Sequence, residues 1–299
     1  MAANTRDIRR RIKSVKNTSQ ITKAMQMVAA AKMRKAQQAA LGGRPYAELL
    51  SRTLAAVSAG TSGGDSAHEL IKVREVKKEL VIVVSTDKGL CGPLNTNLLR
   101  EVAKFDPEKT VFVAVGRKGV QYLVRSKRTL LAEFELKDNF SFLQAKAVSK
   151  FAMEKFLSGE VDRVTVVFTD FINTLLQVPK VSTILPIGSL VVTAGISGAQ
   201  EEAKVVSKEN ENAPSEYVFE PDQASVLSAI LPHFVHFQVY QMVLDARASE
   251  HSSRMVAMKS ATDNAKQLIK DLTLEYNKVR QAAITTELLE ITTAQMALG

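Results

Sequence analysis

Ile8, Ile12 and Val15 are spaced four and three residues apart, and Ile21, Met25 and Val28 repeat that spacing after a one-residue slip. The residues between are mostly basic, polar or small. This is helix periodicity with an imperfect heptad. Residues 2–41 contain neither Gly nor Pro, so the pattern predicts one helix about 60 Å long. Gly42, Gly43 and Pro45 are expected to kink or end it, with Tyr46–Ala59 able to resume it.

The period then changes. Glu79–Ser85 is a short apolar, β-branched run, as a buried strand requires. Strands are also expected at Thr110–Val115, Leu130–Leu136, Asp162–Phe168 and Val178–Leu185. Helices fall at Asn95–Lys104, Lys118–Arg125 and Phe142–Phe156. Alternating strands and helices give an open, mostly parallel, Rossmann-like α/β sheet. The last strand follows its predecessor too closely for a helical crossover, so it pairs antiparallel. The stretch from Ala59 to Ala67 reads as a flexible connector, and residues 196–216 as an exposed loop.

From His233 to Leu298 the chain has 66 residues without Gly or Pro. Rich in Ala, Met, Leu, Lys, Glu and Gln, this run predicts a single helix about 100 Å long, roughly twice the width of a globular domain of this size. Met258, Ala261, Ala265, Leu268 and Leu272, at spacings 3, 4, 3, 4, offer a coiled-coil seam. The expected fold is therefore α/β, with a long antiparallel coiled coil of the N- and C-terminal helices. Its divisions are 1–58 (first coiled-coil helix), 76–195 (α/β domain), 196–216 (loop) and 222–298 (second coiled-coil helix). The second helix outruns the first. Its tip, roughly Ile284–Leu298, is expected to stand unpaired and, being apolar, to be surrounded by something else.

Charge sharpens this picture. The net charge is +9, and residues 1–40 hold ten Lys/Arg against a single acid, Asp7. The run from His233 is balanced, with seven acids and seven bases. The basicity is thus a local stripe that calls for an acidic partner. Nucleic acid is one candidate, but residues 1–45 hold no aromatic to stack bases, and an acidic protein surface fits better. No apolar stretch is long enough to span a membrane. Arg6 and Arg9–Arg11 lead into polar helix rather than a secretory core, and no cleavage-like break suggests a matrix presequence. A single cysteine excludes an internal disulfide.

Candidate chemistry is sparse. Ser85-Thr-Asp-Lys-Gly-Leu-Cys-Gly-Pro93 sits between a strand and a helix, where phosphate loops occur, but it matches neither a G-x-G-x-x-G nor a Walker pattern. A tight turn is the better reading, as it is for Gly116-Arg-Lys-Gly119. His233 and His236, three apart, could seat a metal, yet the surrounding segment is apolar and core or interface roles suit them better. Asp87 reads as a loop salt-bridge member. Cys91 reads as a small loop residue.

Three segments carry a family resemblance. They are Ile21-Thr-Lys-Ala-Met-Gln-Met-Val-Ala-Ala-Ala-Lys-Met-Arg-Lys-Ala-Gln37, Ser85-Thr-Asp-Lys-Gly-Leu-Cys-Gly92, and Ala248-Ser-Glu-His-Ser-Ser-Arg-Met-Val-Ala-Met-Lys-Ser-Ala-Thr-Asp-Asn264 with Tyr276-Asn-Lys-Val-Arg-Gln-Ala-Ala-Ile284. Together they resemble the gamma-subunit family of F-type ATP synthases over essentially the whole chain. The Asp170–Gln177 segment and Phe219-Glu-Pro-Asp222 are similar to that family too. The resemblance implies a central rotor shaft that turns inside a hexamer of alpha and beta subunits. The α/β domain would be bound to the epsilon subunit and the membrane c-ring, one copy per complex. Such a subunit couples ion flow to ATP synthesis and regulates ATPase activity. It implies no cofactor, no metal, no catalytic set and no nucleic acid. Carried over by position, contacts to the hexamer fall at Lys23, Met25, Met27, Arg280, Gln281 and Thr285. Pro93 departs from the Gly usual at that point, and the two-cysteine insert of the chloroplast type is absent. The resemblance implies a peripheral subunit on the cytoplasmic face of a bacterial plasma membrane, with a mature mitochondrial chain as the alternative. Other readings are a nucleotide-binding α/β enzyme with coiled-coil arms and a nucleic-acid-binding coiled coil.

Overall fold

A computed structural model describes residues 2–59, 68–136, 140–187, 220 and 222–298. The connector at 60–67, the loop at 196–216 and the return at Tyr217–Phe219 lie outside them. The elements run α1 (Ala2–Ala59), β1 (Glu79–Val84), α2 (Leu94–Ala103), β2 (Thr110–Val115), α3 (Arg117–Arg125), β3 (Leu130–Phe134), α4 (Phe142–Leu157), β4 (Arg163–Phe171), β5 (Gln177–Leu185) and α5 (Gln223–Leu298). Two compact units are formed: Met1–Ala30 with Arg254–Gly299, and Ala31–Ser253.

In the larger unit one sheet has the order β3-β2-β1-β4-β5. β1 pairs parallel with β2 and β4, β2 parallel with β3, and β4 antiparallel with β5. Because side chains alternate along a strand, β1 serves two cores. Leu80, Ile82 and Val84 face a cluster with Val148, Ala152 and Phe156 of α4 and Leu231, Phe234, Val235 and Val239 of α5. Val81 and Val83 face Leu98 and Val102 of α2 and Leu123 of α3. Both faces are covered, which is why the strand reads as a continuous apolar run.

Two breaker positions do not break. α1 runs on through Gly42, Gly43 and Pro45, and α5 starts at Gln223 and contains Pro232. Packing overrides the local preference at the first site. A side chain on Gly43 would begin 3.2 Å from Gln241 Oε1 and 3.4 Å from the Phe237 ring, so glycine permits close approach there. One turn on, the Tyr46 ring lies 5.0 Å from that of Phe237. These contacts hold the chain helical where composition alone favours an end.

The smaller unit is an antiparallel helix pair. Arg9 donates to the Tyr276 hydroxyl at 2.6 Å, with its guanidinium 5.4 Å from the ring centroid. The Thr22 and Thr262 hydroxyls meet at 2.7 Å. On α1 one sheltered row runs Thr5, Ile8, Ile12, Val15, Ser19, Thr22, Gln26 and Ala29, alternating three and four apart, and Met25 and Ala30 are half-buried beside it. On α5 the corresponding row is Met258, Thr262, Ala265, Ile269, Leu272, Tyr276, Val279 and Ala283, alternating four and three, with Ala261 and Asn277 half-buried beside it. This corrects the seam read from the sequence. Ile21 and Val28 are 60% and 55% exposed, and Leu268 is 46% exposed. Thr22, Ala29 and Ile269 occupy the seam in their stead. The seam mixes apolar residues with small and hydroxyl ones, such as Ser19, Thr22, Ala29, Thr262 and Ala265.

Candidate functional site

The positions carried over as hexamer contacts all lie in the smaller unit, at two heights. Lys23 and Met27 are exposed and Met25 is half-buried, one helix turn from the Thr22–Thr262 contact. Arg280, Gln281 and Thr285 are exposed near the other end, just past Tyr276. From Thr262 to Arg280 is about 27 Å of helix, so the two groups do not meet. Lys23 and Met25 flank the seam. Met27 points outward with Ile21 and Val28, giving α1 an outer apolar face there. The Thr285 hydroxyl donates back to the Gln281 backbone carbonyl at 2.9 Å, and the Gln281 side chain is exposed. Beyond Thr286, residues 287–296 are exposed all round, Leu288, Leu289, Ile291 and Met296 included.

Sequence reasoning missed the most buried part of α5. From Gln241 to Ser253 every residue is buried, on all sides of the helix. Polar bonds to the end of β4 and to the loops after β1, β3 and β4 hold it. Ser249 Oγ donates to the Thr169 carbonyl (3.1 Å), Ser252 Oγ to the Thr174 carbonyl (2.9 Å), and Ser253 Oγ to the Cys91 carbonyl (2.7 Å). Arg247 is the charged member. Its Nη1 donates to Glu250 Oε2 (2.7 Å), and its Nη2 to Asp87 Oδ2 (3.2 Å) and to the Leu136 carbonyl. Burial opposes its charge, but Glu250 and then Asp87 outweigh it and hold the guanidinium above its ordinary value.

The two sequence motifs at 85–92 and 248–253 are therefore halves of one joint. Asp87 pairs with Arg247 across the joint. The groups of the 85–93 loop are also engaged with the protein itself. Ser85 Oγ accepts from the Gly119 amide at 2.7 Å, at the start of α3 where an anion would sit in a phosphate site. Thr86 Oγ1 exchanges hydrogen bonds with Asn95. The turn at 85–93 also holds α5, through Asp87 and the Cys91 carbonyl. His233 and His236 diverge: His233 meets the Tyr46 hydroxyl, while His236 Nδ1 meets Ser149 Oγ at 2.7 Å. Burial, then the positive charges of Lys146, His233 and Lys150, push the His236 imidazole down to about 4.

One signal for this grip was present in the sequence. Ala248-Ser-Glu-His-Ser-Ser253 packs three serines into a segment of a helix otherwise built from strong helix formers, and serine is a weak one that bonds nearby backbone.

No helix among the described residues is long and apolar enough to cross a membrane. A family model described as ATP synthase matches residues 4–298. The chain is 51% identical to the ATP synthase gamma chain of Opitutus terrae, over 99% of each chain. It is 48% identical to that of Methylacidiphilum infernorum, over 99% of this chain and 100% of the relative. Among solved structures it is similar to a chain of the central stalk and c-ring of the Tetrahymena thermophila mitochondrial ATP synthase. That match has a TM-score of 0.58 at 26% identity, covering 81% of this chain and 99% of the other. With a family model matched nearly end to end and relatives near half identical over their full length, the chain belongs to the ATP synthase gamma chain family.

Proposed function

We propose that this chain is the central rotor shaft of an F-type ATP synthase. It couples ion flow through the membrane ring to ATP synthesis at the alpha/beta hexamer. The carrying observation is the smaller unit: an antiparallel coiled coil ending in a lone helix whose leucines, isoleucine and methionine face outward. Such a surface requires a sheath, and the hexamer supplies one. Partners are the alpha and beta subunits around the coiled coil, with epsilon and the c-ring at the α/β domain, residues 76–195. The subunit is non-catalytic and peripheral, on the cytoplasmic face of a bacterial plasma membrane.

Lys23, Met25 and Met27 form one contact station on the hexamer, and Arg280, Gln281 and Thr285 the other. Arg280 offers a guanidinium fork and Gln281 an amide, both free to bond a beta-subunit loop. Reconstitution of the complete synthase in vesicles, with and without this chain, tests the reading. The chain should confer ATP-driven proton pumping, while alone and free of beta subunit it should hydrolyse no ATP. Replacing Arg280 and Gln281 together with Ala should lower coupled turnover in assembled complexes. Activity in the isolated chain, or failure to confer pumping, refutes the proposal.

A further inference from the structure

A rotor shaft must not turn inside its own mount. Apolar packing is non-directional and resists slippage poorly; directional bonds fix an angle. At about 100° per residue, positions 247, 249, 252 and 253 fan around α5, so its bonds to β4 and the loops reach it from several sides. Three of those bonds are neutral serine hydroxyls to carbonyls. The fourth is ionic and bridging. The Arg247 side chain is 5% exposed, Glu250 5% and Asp87 21%. Glu250 belongs to the same helix and orients the guanidinium. Asp87, after β1, and the Leu136 carbonyl, after β3, belong to the mount.

We infer that Arg247 is a positioning residue for torque: through Asp87 and the Leu136 carbonyl, its planar fork fixes the rotational register of α5 against the sheet loops. The inference rests on the rotor function proposed above. Lysine has one ammonium and cannot hold three acceptors in this geometry. The residue acts only on transmission and touches no nucleotide site.

The test uses complete complexes in vesicles, reading ATP hydrolysis, protons pumped per ATP, and stall torque of single rotors. Arg247→Lys should retain hydrolysis but pump at least about twofold fewer protons per ATP, with lower stall torque. Asp87→Asn should err in the same direction. Adding Asp87→Glu to Arg247→Lys lengthens the carboxylate toward the shorter cation and should restore most of the loss, a rescue that a packing role would not produce. Wild-type pumping per ATP in assembled Arg247→Lys or Asp87→Asn complexes, even with a lowered melting temperature, overturns the inference. So does a double variant as uncoupled as Arg247→Lys. Should Arg247→Lys fail to assemble, the partly exposed Asp87→Asn decides by the same criterion. A wild-type chain that supports no pumping sinks the rotor proposal itself.

Discussion

The Thr22 and Thr262 hydroxyls lie 2.7 Å apart across the helix pair, each also within reach of a carbonyl of its own helix, Ser19 at 3.1 Å and Met258 at 2.8 Å. A hydroxyl carries one proton, so either threonine has a partner left when the other is removed. Polar residues at such positions specify register at some cost in stability. The double variant Thr22→Val/Thr262→Val should therefore match or exceed wild-type stability, by up to about 1 kcal/mol, with each single variant below the double. Urea unfolding of the four chains checks the cycle. A double variant less stable than both singles would show that the hydroxyl pair stabilises the rod.

Gly116 has φ +96°, and a side chain there would begin 2.4 Å from the Ser85 carbonyl oxygen. The obstacle is backbone, which cannot swing aside. Gly116→Ala should cost about 3 kcal/mol or more and lower the melting temperature of the purified chain. A loss below about 1 kcal/mol would contradict the crossing of β1 and the β2–α3 turn.

Adjacent glycines in α1 should respond oppositely. A side chain on Gly42 meets nothing within 4 Å, while one on Gly43 presses on Gln241 and Phe237. Gly42→Ala should stabilise by about 0.5–1 kcal/mol through helix propensity alone. Gly43→Ala should forfeit that gain. Equal shifts in denaturation midpoint would show that α1 and α5 are less closely packed there than the structure has them.

His236 sets a pH dependence of definite sign. Its folded value is about 4 against an ordinary 6.5, so between these limits the unfolded chain binds a proton that the folded chain refuses. Stability from this group is complete above pH 6.5 and is lost as pH falls toward 4, on the order of 1–3 kcal/mol in total. Unfolding free energies of wild type and His236→Gln should differ in slope over that window and run parallel above it. Parallel curves throughout would place the imidazole in a more solvated site.

The long helices and the sheet were legible because their signals are local. Absent breakers and strong helix formers mark Ala2–Leu41 and His233–Leu298, and β-branched apolar runs mark β1, β2 and β4. The antiparallel β4–β5 pair followed from loop length. The seam was less legible. Ile21, Val28 and Leu268 carry the hydrophobic signal but face outward, while Ser19, Thr22, Gln26 and Ala29 carry almost none and face inward. Periodicity read from apolar residues fails where small and polar side chains share the seam and apolar ones such as Ile21, Met27 and Val28 face outward.

Arg247 shows the limit most clearly. In sequence it is one of seven bases balanced by seven acids along a polar helix. Nothing local separates it from Lys259 or Lys270, which stay exposed. Its burial depends on Asp87 and Leu136, which lie more than a hundred residues away and come together only at the carboxyl ends of a folded sheet. By itself the sequence determined that there would be two long helices, a mostly parallel sheet and a basic stripe, because propensity, strand length and charge are properties of neighbouring residues. The tertiary structure alone decided which helix faces meet and where the mount grips the shaft, because both depend on groups distant in the chain sharing one small, largely dehydrated space.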